Sequence, residues 1–333
     1  MGETIYVSVC CLGIDTELET TIQSCFSEAE TPEYVYMGVA MIGKKEFYEE
    51  ISKKYENNKN ITFKFFELNE DTIGVGNGRH LARSLYNDQD YFFQIDSHTL
   101  FNSSWDKDLI DNFKKSQKLV NNKKVILSGY LPSYIKYRIN EKIEASYGTD
   151  LWYTRWIPNK FMVLDKIIPS WDAVIPKLVS RGLYRKIKKT GFAPASKITA
   201  MFIFGDKQFA NNICLNKNFL FWEEEIIQSI EFIANGFTLV FPGDMCPGNH
   251  FYFRQQTKDF GYRDTIGSLF NGEEELNNFS LKMEENFLNY IKDENNKEKI
   301  KVYEKYAGIN LLTGAKNNKV YSKKYANIGY DPI

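Results

Sequence analysis

Tyr91-Phe92-Phe93-Gln94-Ile95-Asp96-Ser97-His98 is the stretch on which the fold turns: an apolar run closing on an acid and a histidine two residues apart, in a chain with three histidines. Such a run reads as the central strand of a sheet. Side chains alternate along a strand, so Asp96 and His98 are expected to point the same way, at the end where a βα sheet gathers its ligands. A carboxylate and an imidazole placed like that can hold a divalent metal. The plainer reading is an Asp capping the next helix beside a surface His.

Working outward, Ile5 to Cys10, Tyr34 to Ile42, Ile61 to Phe65, Val125 to Tyr130, Ala200 to Phe204 and Phe237 to Phe241 read as further strands. Helices are expected between them: one after a Thr16-x-x-Glu19 capping box, with Leu18, Ile22 and Phe26 in line, then Lys44 to Lys54, a segment within Asp71 to Asn87, and Trp105 to Phe113. Strands alternating with helices at this spacing argue a mostly parallel sheet flanked by helices. A helix over Glu223 to Asn235 buries Ile226, Ile227, Ile230, Ile233 and Ala234, with Gly236 just past its end. Acids at its start, Glu223 to Glu225, suit the helix dipole, which by itself accounts for two of the three. Beyond Pro242-Gly243 stands a second histidine, His250. Nitrogen and oxygen donors together suit Mn²⁺ or a related transition ion better than calcium.

The order of these pieces resembles a known family. A strand at Ile5 to Cys10 is followed by Gly76-x-Gly78-x-x-x-Ala82-Arg83, then Gln94-Ile-Asp96-Ser-His98-x-x-Phe101 with Trp105-Asp106, then Phe221-Trp-Glu-Glu224, then His250-x-Tyr252-x-Arg254. This resembles the GT-A (nucleotide-diphospho-sugar transferase) fold glycosyltransferases of the polypeptide N-acetylglucosaminyltransferase family, whose cytoplasmic members modify hydroxyproline. More distantly it resembles the mucin-type polypeptide N-acetylgalactosaminyltransferases. The resemblance implies that Asp96, His98 and His250 hold Mn²⁺ or another divalent cation under the diphosphate of a UDP-sugar. It also places Ser8, Arg83, Asp96 and Arg254 on the donor, and Glu224 toward the sugar or acceptor. Trp222 and Glu223 depart from the family pattern, which leaves the identity of the sugar open. The expected division is a catalytic domain over residues 1–265, with a nucleotide-binding half over 1–130 and an acceptor half over 131–265, and a helical C-terminal extension over 266–333.

Composition sets bounds. With 333 residues, 43% hydrophobic and 15% aromatic, the chain can bury a substantial core. Its 42 basic and 43 acidic residues leave a formal charge of −1, so no global field draws it to nucleic acid or anionic membrane. Five cysteines, two of them adjacent at Cys10 and Cys11, have no metal-type spacing and an odd total, which points to a reducing, cytoplasmic setting rather than a secreted disulfide framework. No signal-like segment and no apolar stretch of roughly 18 residues is present, so no membrane anchoring is expected.

Other segments admit two readings each. Gly74, Gly76 and Gly78 suggest a phosphate loop, yet they come after three strands instead of one, which disfavours a Rossmann fingerprint and leaves close backbone approach or a turn. The aromatic run Tyr147 to Trp156 is a sugar or acceptor platform, or plain core. Arg181 to Lys197, with six basic residues and no acid, is a solvated surface or a phosphate-facing patch. Gln255 to Arg263 suits a lid or an ordinary surface loop. Glu273 to Ile291 reads as a helix with Met283, Phe287 and Ile291 in line, Lys292 to Lys301 as exposed, and His80 as structural or exposed.

The chemistry implied is metal-dependent, retaining transfer of a GlcNAc-like sugar to a hydroxyl on a protein or glycan. A hydroxylated DNA base of viral origin is the alternative acceptor. A non-catalytic sugar-nucleotide-binding protein and a metal-dependent hydrolase are the competing classes; for the last, no separate water-activating pair is evident.

Overall fold

The computed structural model describes residues 2–68, 74–129, 131, 133–139, 142–147, 152–154, 162–163, 166–167, 176–178, 192–195, 197–213, 219–220, 222–242, 247–251, 273–307 and 310–311. In chain order the first half gives Ile5–Leu12 (β1), Leu18–Ser27 (α1), Val35–Ile42 (β2), Lys45–Lys54 (α2), Ile61–Phe66 (β3), Val75–Arg83 (α3), Tyr91–Asp96 (β4), Thr99–Phe101 (β5), Trp105–Val120 (α4) and Val125–Ser128 (β6). There follow Ser133–Ile139 (β7), Lys142–Tyr147 (β8), Trp152–Thr154 (β9), Met162–Val163 (β10), Lys166–Ile167 (β11), Pro176–Leu178 (β12) and Ala193–Pro194 (β13). The remainder is Phe202–Asp206 (β14), Lys207–Asn212 (α5), Trp222–Ala234 (α6), Thr238–Phe241 (β15), Gly248–Phe251 (β16), Glu273–Lys292 (α7) and Lys297–Ala307 (α8).

Eight strands form the main sheet in the order β13-β15-β6-β14-β4-β1-β2-β3. Pairing is parallel for β1 with β2 and β4, for β2 with β3 and for β6 with β15; β14 is antiparallel to both of its neighbours. The chain adds β2 and β3 on one side of β1 and then returns to lay β4 on the other. That reversal opens a crevice beyond the carboxyl ends of β1 and β4, where α/β sheets bind ligands. A second sheet, β5-β16-β7-β8, starts immediately after β4.

Alternation along the buried strands divides the core in two. Tyr6, Phe92, Ile126, Ile203 and Leu239 lie in one cluster. Their neighbours Val7, Phe93, Leu127, Phe204 and Val240 lie in the other, with Leu18, Ile22, Trp105, Leu109 and Phe113 from α1 and α4. The first cluster is closed by α6 and by Met283, Phe287, Ile291, Ile300, Tyr303 and Tyr306 from the two C-terminal helices. The Tyr306 hydroxyl donates to the Ala195 carbonyl at 3.1 Å and accepts the Leu239 N–H at 3.2 Å. The stretch expected to be exposed, Lys292 to Lys301, therefore buries Ile300.

Element boundaries differ from the sequence reading for identifiable reasons. The strand expected from Ala200 begins at Phe202, because the Thr199 and Ala200 amides are taken by Ser128 Oγ and Glu225 Oε1. The Thr16-Glu19 capping box does not form: α1 starts at Leu18 without a side-chain cap at Glu17, and Asp15 Oδ1 accepts the Glu17 N–H instead. The helix from Trp105 runs on to Val120, where Asn121 turns left-handed at φ 50°. Among the described residues no helix is long and apolar enough to cross a membrane.

Candidate active site

Parallel pairing sets Cys10 of β1 opposite Asp96, the last residue of β4, at the mouth of the crevice. The strand stops there. Ser97 and His98 form a tight turn into β5, so strand alternation does not orient them. The turn is instead bolted to α1: Thr21 Oγ1 donates to the Ser97 carbonyl at 2.8 Å and accepts the Thr99 N–H at 2.9 Å, and Ser24 Oγ accepts the Phe101 N–H at 3.2 Å. Trp105 completes the joint, its Nε1 donating to the Cys25 carbonyl at 2.8 Å.

Asp15, in the loop after β1, holds the imidazole. Its Oδ2 lies 2.9 Å from His98 Nδ1 and accepts Ser97 Oγ–H at 2.6 Å, while Oδ1 takes the Glu17 N–H. Burial opposes charge on Asp15, but the bonds from His98, Ser97 and Glu17 outweigh it and keep the carboxyl below its usual range. Burial likewise works against imidazolium, yet Asp15, with Asp96 and Glu17 adding to it, holds His98 above the ordinary histidine value.

Arg79 of α3 joins Asp96 to Glu224, two of the acids singled out in the sequence. Its Nη2 is 3.3 Å from Asp96 Oδ1, and its Nη1 is ion-paired with Glu224 Oε2. Glu224 Oε1 accepts Gln228 Nε2–H at 2.8 Å. The Glu224 side chain is 0% exposed and that of Arg79 10%, against 25% for Asp96 and 21% for His98, so solvent meets Asp96 and His98 first. Burial pushes the Glu224 carboxyl up to about 7, with Glu225 and Glu223 adding and Arg79 opposing. For Arg79 the burial cost is more than offset by Glu224 and Asp96, and the guanidinium stays charged.

Two glycines bring α3 to this place. A Cβ on Gly78 would collide with Cys10 Sγ, so glycine lets the helix lie directly on β1. Gly74, at φ 109°, starts the helix where a Cβ would sit 2.9 Å from the Phe219 carbonyl oxygen. The Val75 and Gly76 amides donate at 3.0 Å to the Leu220 and Phe219 carbonyls. The glycine-rich entry thus serves close packing, and those two amides are spent on protein. The acidic run is divided just as fully: Glu223 Oε1 accepts the Leu220 N–H at 2.7 Å, and Glu225 accepts the Ala200 N–H at 2.8 Å and pairs with Lys197 at 2.5 Å. Glu224 reaches Asp96 through Arg79.

Residues 52–309 match the family described as Glycosyltransferase (GlcNAc), well over half of the chain. The chain belongs to the glycosyltransferase (GlcNAc) family. A crystal structure of GalNAc-T7 with UDP, GalNAc and Mn²⁺ superposes on 98% of this chain with a TM-score of 0.58 at 12% identity, which identifies the GT-A fold. The chain spans about half the length of that structure, 55%. No curated protein matches it.

The other expected site residues of this family member fall as follows. His250 lies in β16, its backbone in register with Thr99 of β5 and Ser133 of β7, one residue along from His98; its side chain lies outside the described residues. Ser8 is buried in β1, and its hydroxyl is the buried side-chain polar atom left without a partner among the described residues. Arg83 faces away from Asp96: it donates twice to the Ala210 carbonyl, at 3.2 and 2.8 Å, and its guanidinium lies 4.5 Å from the centre of the Tyr86 ring. Among the described residues, Arg79, one helical turn earlier, is the arginine beside Asp96. His80 is exposed. Arg254, the expected lid over Gln255 to Arg263 and most of Tyr147 to Trp156 and Arg181 to Lys197 lie outside the described residues. Lys197 itself is buried against Glu225. Among the described residues no three His, Cys, Asp or Glu side chains form a metal-holding group. Asp96 and His98 are the oxygen and nitrogen donor types that suit Mn²⁺, and His98 Nδ1 is engaged by a carboxylate, a partner common behind metal-binding histidines.

Proposed function

We propose that this protein transfers a GlcNAc-like sugar from a UDP-sugar to a hydroxyl on a protein or glycan, with retention of anomeric configuration. Asp96 carries the proposal: it ends the central strand at the switch point of a family-typical sheet, flanked by a carboxylate-held imidazole on one side and a buried Arg-Glu pair on the other. Asp96, His98 and His250 would hold a divalent cation such as Mn²⁺, which when bound neutralises the leaving diphosphate as the anomeric bond breaks. Asp96 and Arg79 orient the sugar within the crevice. Glu224, buried and bonded on both oxygens, acts by fixing Arg79 rather than as a base or nucleophile. Retention leaves a departing phosphate oxygen to accept the acceptor's proton on the same face, so no side-chain base is required.

We place the nucleotide-binding half at residues 1–130, the acceptor half at 131–265 and a helical extension at 266–333, with Ser8 and Arg254 on the donor side. Cys10, Cys11 and Cys25 are free thiols, which supports a reducing compartment such as the cytoplasm. The test is a panel of UDP-sugars with Mn²⁺, scored for sugar release and thermal shift, on wild type, Asp96→Ala and His250→Ala. Both variants should fold and lose Mn²⁺-dependent UDP binding; equal UDP affinity of the wild type with and without chelator would defeat the assignment.

A further inference from the structure

The family motif supplies donors for a cation but does not say what keeps them aimed. We infer that Asp15 is the positioning residue of the cation site, holding His98 as the Nδ1–H tautomer so that Nε2 is directed to the metal. The inference rests on the proposed cation role of His98 and adds a residue that the motif does not contain.

Three observations converge. First, Asp15 is itself immobilised: it is 7% exposed, its Oδ1 accepts the Glu17 N–H at 2.9 Å, and its Oδ2 accepts the Ser97 hydroxyl at 2.6 Å. Second, Oδ2 meets Nδ1 of His98 at 2.9 Å, and since an ionised carboxylate only accepts, Nδ1 must carry the proton. A neutral ring protonated at Nδ1 has its lone pair on Nε2. Third, the backbone around His98 is fastened to α1, the helix that the Asp15 loop leads into, through Thr21 to Ser97 and Thr99 and through Ser24 to Phe101, which holds the ring beside the carboxylate. A carboxylate behind a ligating imidazole raises its basicity and fixes its plane, and losing such a partner costs about 10–100-fold in metal affinity.

The experiment uses the full chain as wild type, Asp15→Ala, Asp15→Asn and His98→Ala. Imidazole ¹⁵N shifts of the metal-free protein, at a pH high enough to leave the ring neutral, report the tautomer. With three histidines in the chain, assignment by the His98→Ala spectrum is direct. Mn²⁺ affinity is read separately by the electron-paramagnetic-resonance signal of free ion, and folding by thermal melting. We expect His98 to be Nδ1–H in wild type and to move toward Nε2–H in Asp15→Ala, with Mn²⁺ binding about 10–100-fold weaker. Asp15→Asn keeps the shape and the Glu17 bond but turns an amide N–H toward Nδ1, so it should drive His98 to Nε2–H and weaken Mn²⁺ binding at least as much as Asp15→Ala. If His98→Ala weakens Mn²⁺ binding while Asp15→Ala changes neither tautomer nor affinity, the role of Asp15 is overturned and the cation reading stands. If His98→Ala also leaves Mn²⁺ binding intact, both fall.

Discussion

Replacing Arg79 with methionine removes the guanidinium facing Glu224 while keeping most of the side chain's length, and the consequence is a stability that depends on pH in a defined direction. The Glu224 carboxyl is pushed from 4.5 to about 7 by burial, with Glu225 and Glu223 beside it and Arg79 opposing. Lys197 is bound to Glu225, and the Cys10 thiol lies beyond Arg79. An acid whose folded value is raised contributes stability that is complete below its unfolded value, here 4.5, and is lost as pH climbs to about 7. At ~1.36 kcal/mol per unit, that interval removes roughly 3 kcal/mol from the wild type. Without Arg79 the folded carboxyl titrates higher still, so the decline continues past neutrality. The variant's deficit then widens by ~1.4 kcal/mol per pH unit until Glu224 finally ionises, toward the about 3–5 kcal/mol typical of breaking a buried ion pair. In mild acid the carboxyl is neutral in both proteins, and the deficit contracts to about 1–2 kcal/mol for a lost hydrogen bond and some packing. Urea unfolding at about pH 5.5, 7 and 8.5, on wild type, Arg79→Met, Glu224→Gln and the double variant, isolates the effect from other titrations. Parallel stability curves for wild type and Arg79→Met would refute the reasoning. So would a widening that survives addition of Glu224→Gln.

Three further outcomes are expected. Gly78→Ala should destabilise by about 1–3 kcal/mol through overlap with Cys10 Sγ, and Cys10→Ala in the same chain should restore most of it, measured by thermal melting. Tyr306→Phe removes the hydroxyl that joins Ala195 to Leu239 and should cost about 1–2 kcal/mol in chemical denaturation. Asp106 is opposed by burial but held below its normal value by the Glu30 and Thr31 amides and the Thr31 hydroxyl, so its contribution is present above its unfolded value and lost as pH falls through the folded one. Asp106→Asn should therefore flatten the acid limb of the stability profile.

The central strand and its acid were legible because an apolar run stopped by a carboxylate is a local pattern. The orientation of His98 was not, since a turn at Ser97-His98 replaces strand alternation and the controlling partner, Asp15, lies 83 positions away. A signal did exist: Asp15 stands three residues past the end of the first strand at Leu12, in a βα loop at the sheet end where ligands gather. Arg83 drew attention because Ala82-Arg83 fits a family step, yet only the packing of Gly78 on Cys10 decides that Arg79 enters the crevice. The acidic run was read as part helix start and part function, and it does open a helix, from Trp222. Which carboxylate was which depended on Leu220, Ala200 and Lys197, and no spacing rule brings those to Glu223 and Glu225.

Closure of one sheet face by Ile291, Ile300, Tyr303, Tyr306 and Leu311 has a consequence for synthesis. While the ribosome is still translating those residues, Phe92, Ile203 and Leu239 have already emerged with only part of their cover, from α5 and α6. Late-arriving helices of this kind leave a sticky interval in which a nascent chain depends on chaperones. Production in a cell should then respond more strongly to slowed translation or chaperone supply than the purified protein's melting point would suggest.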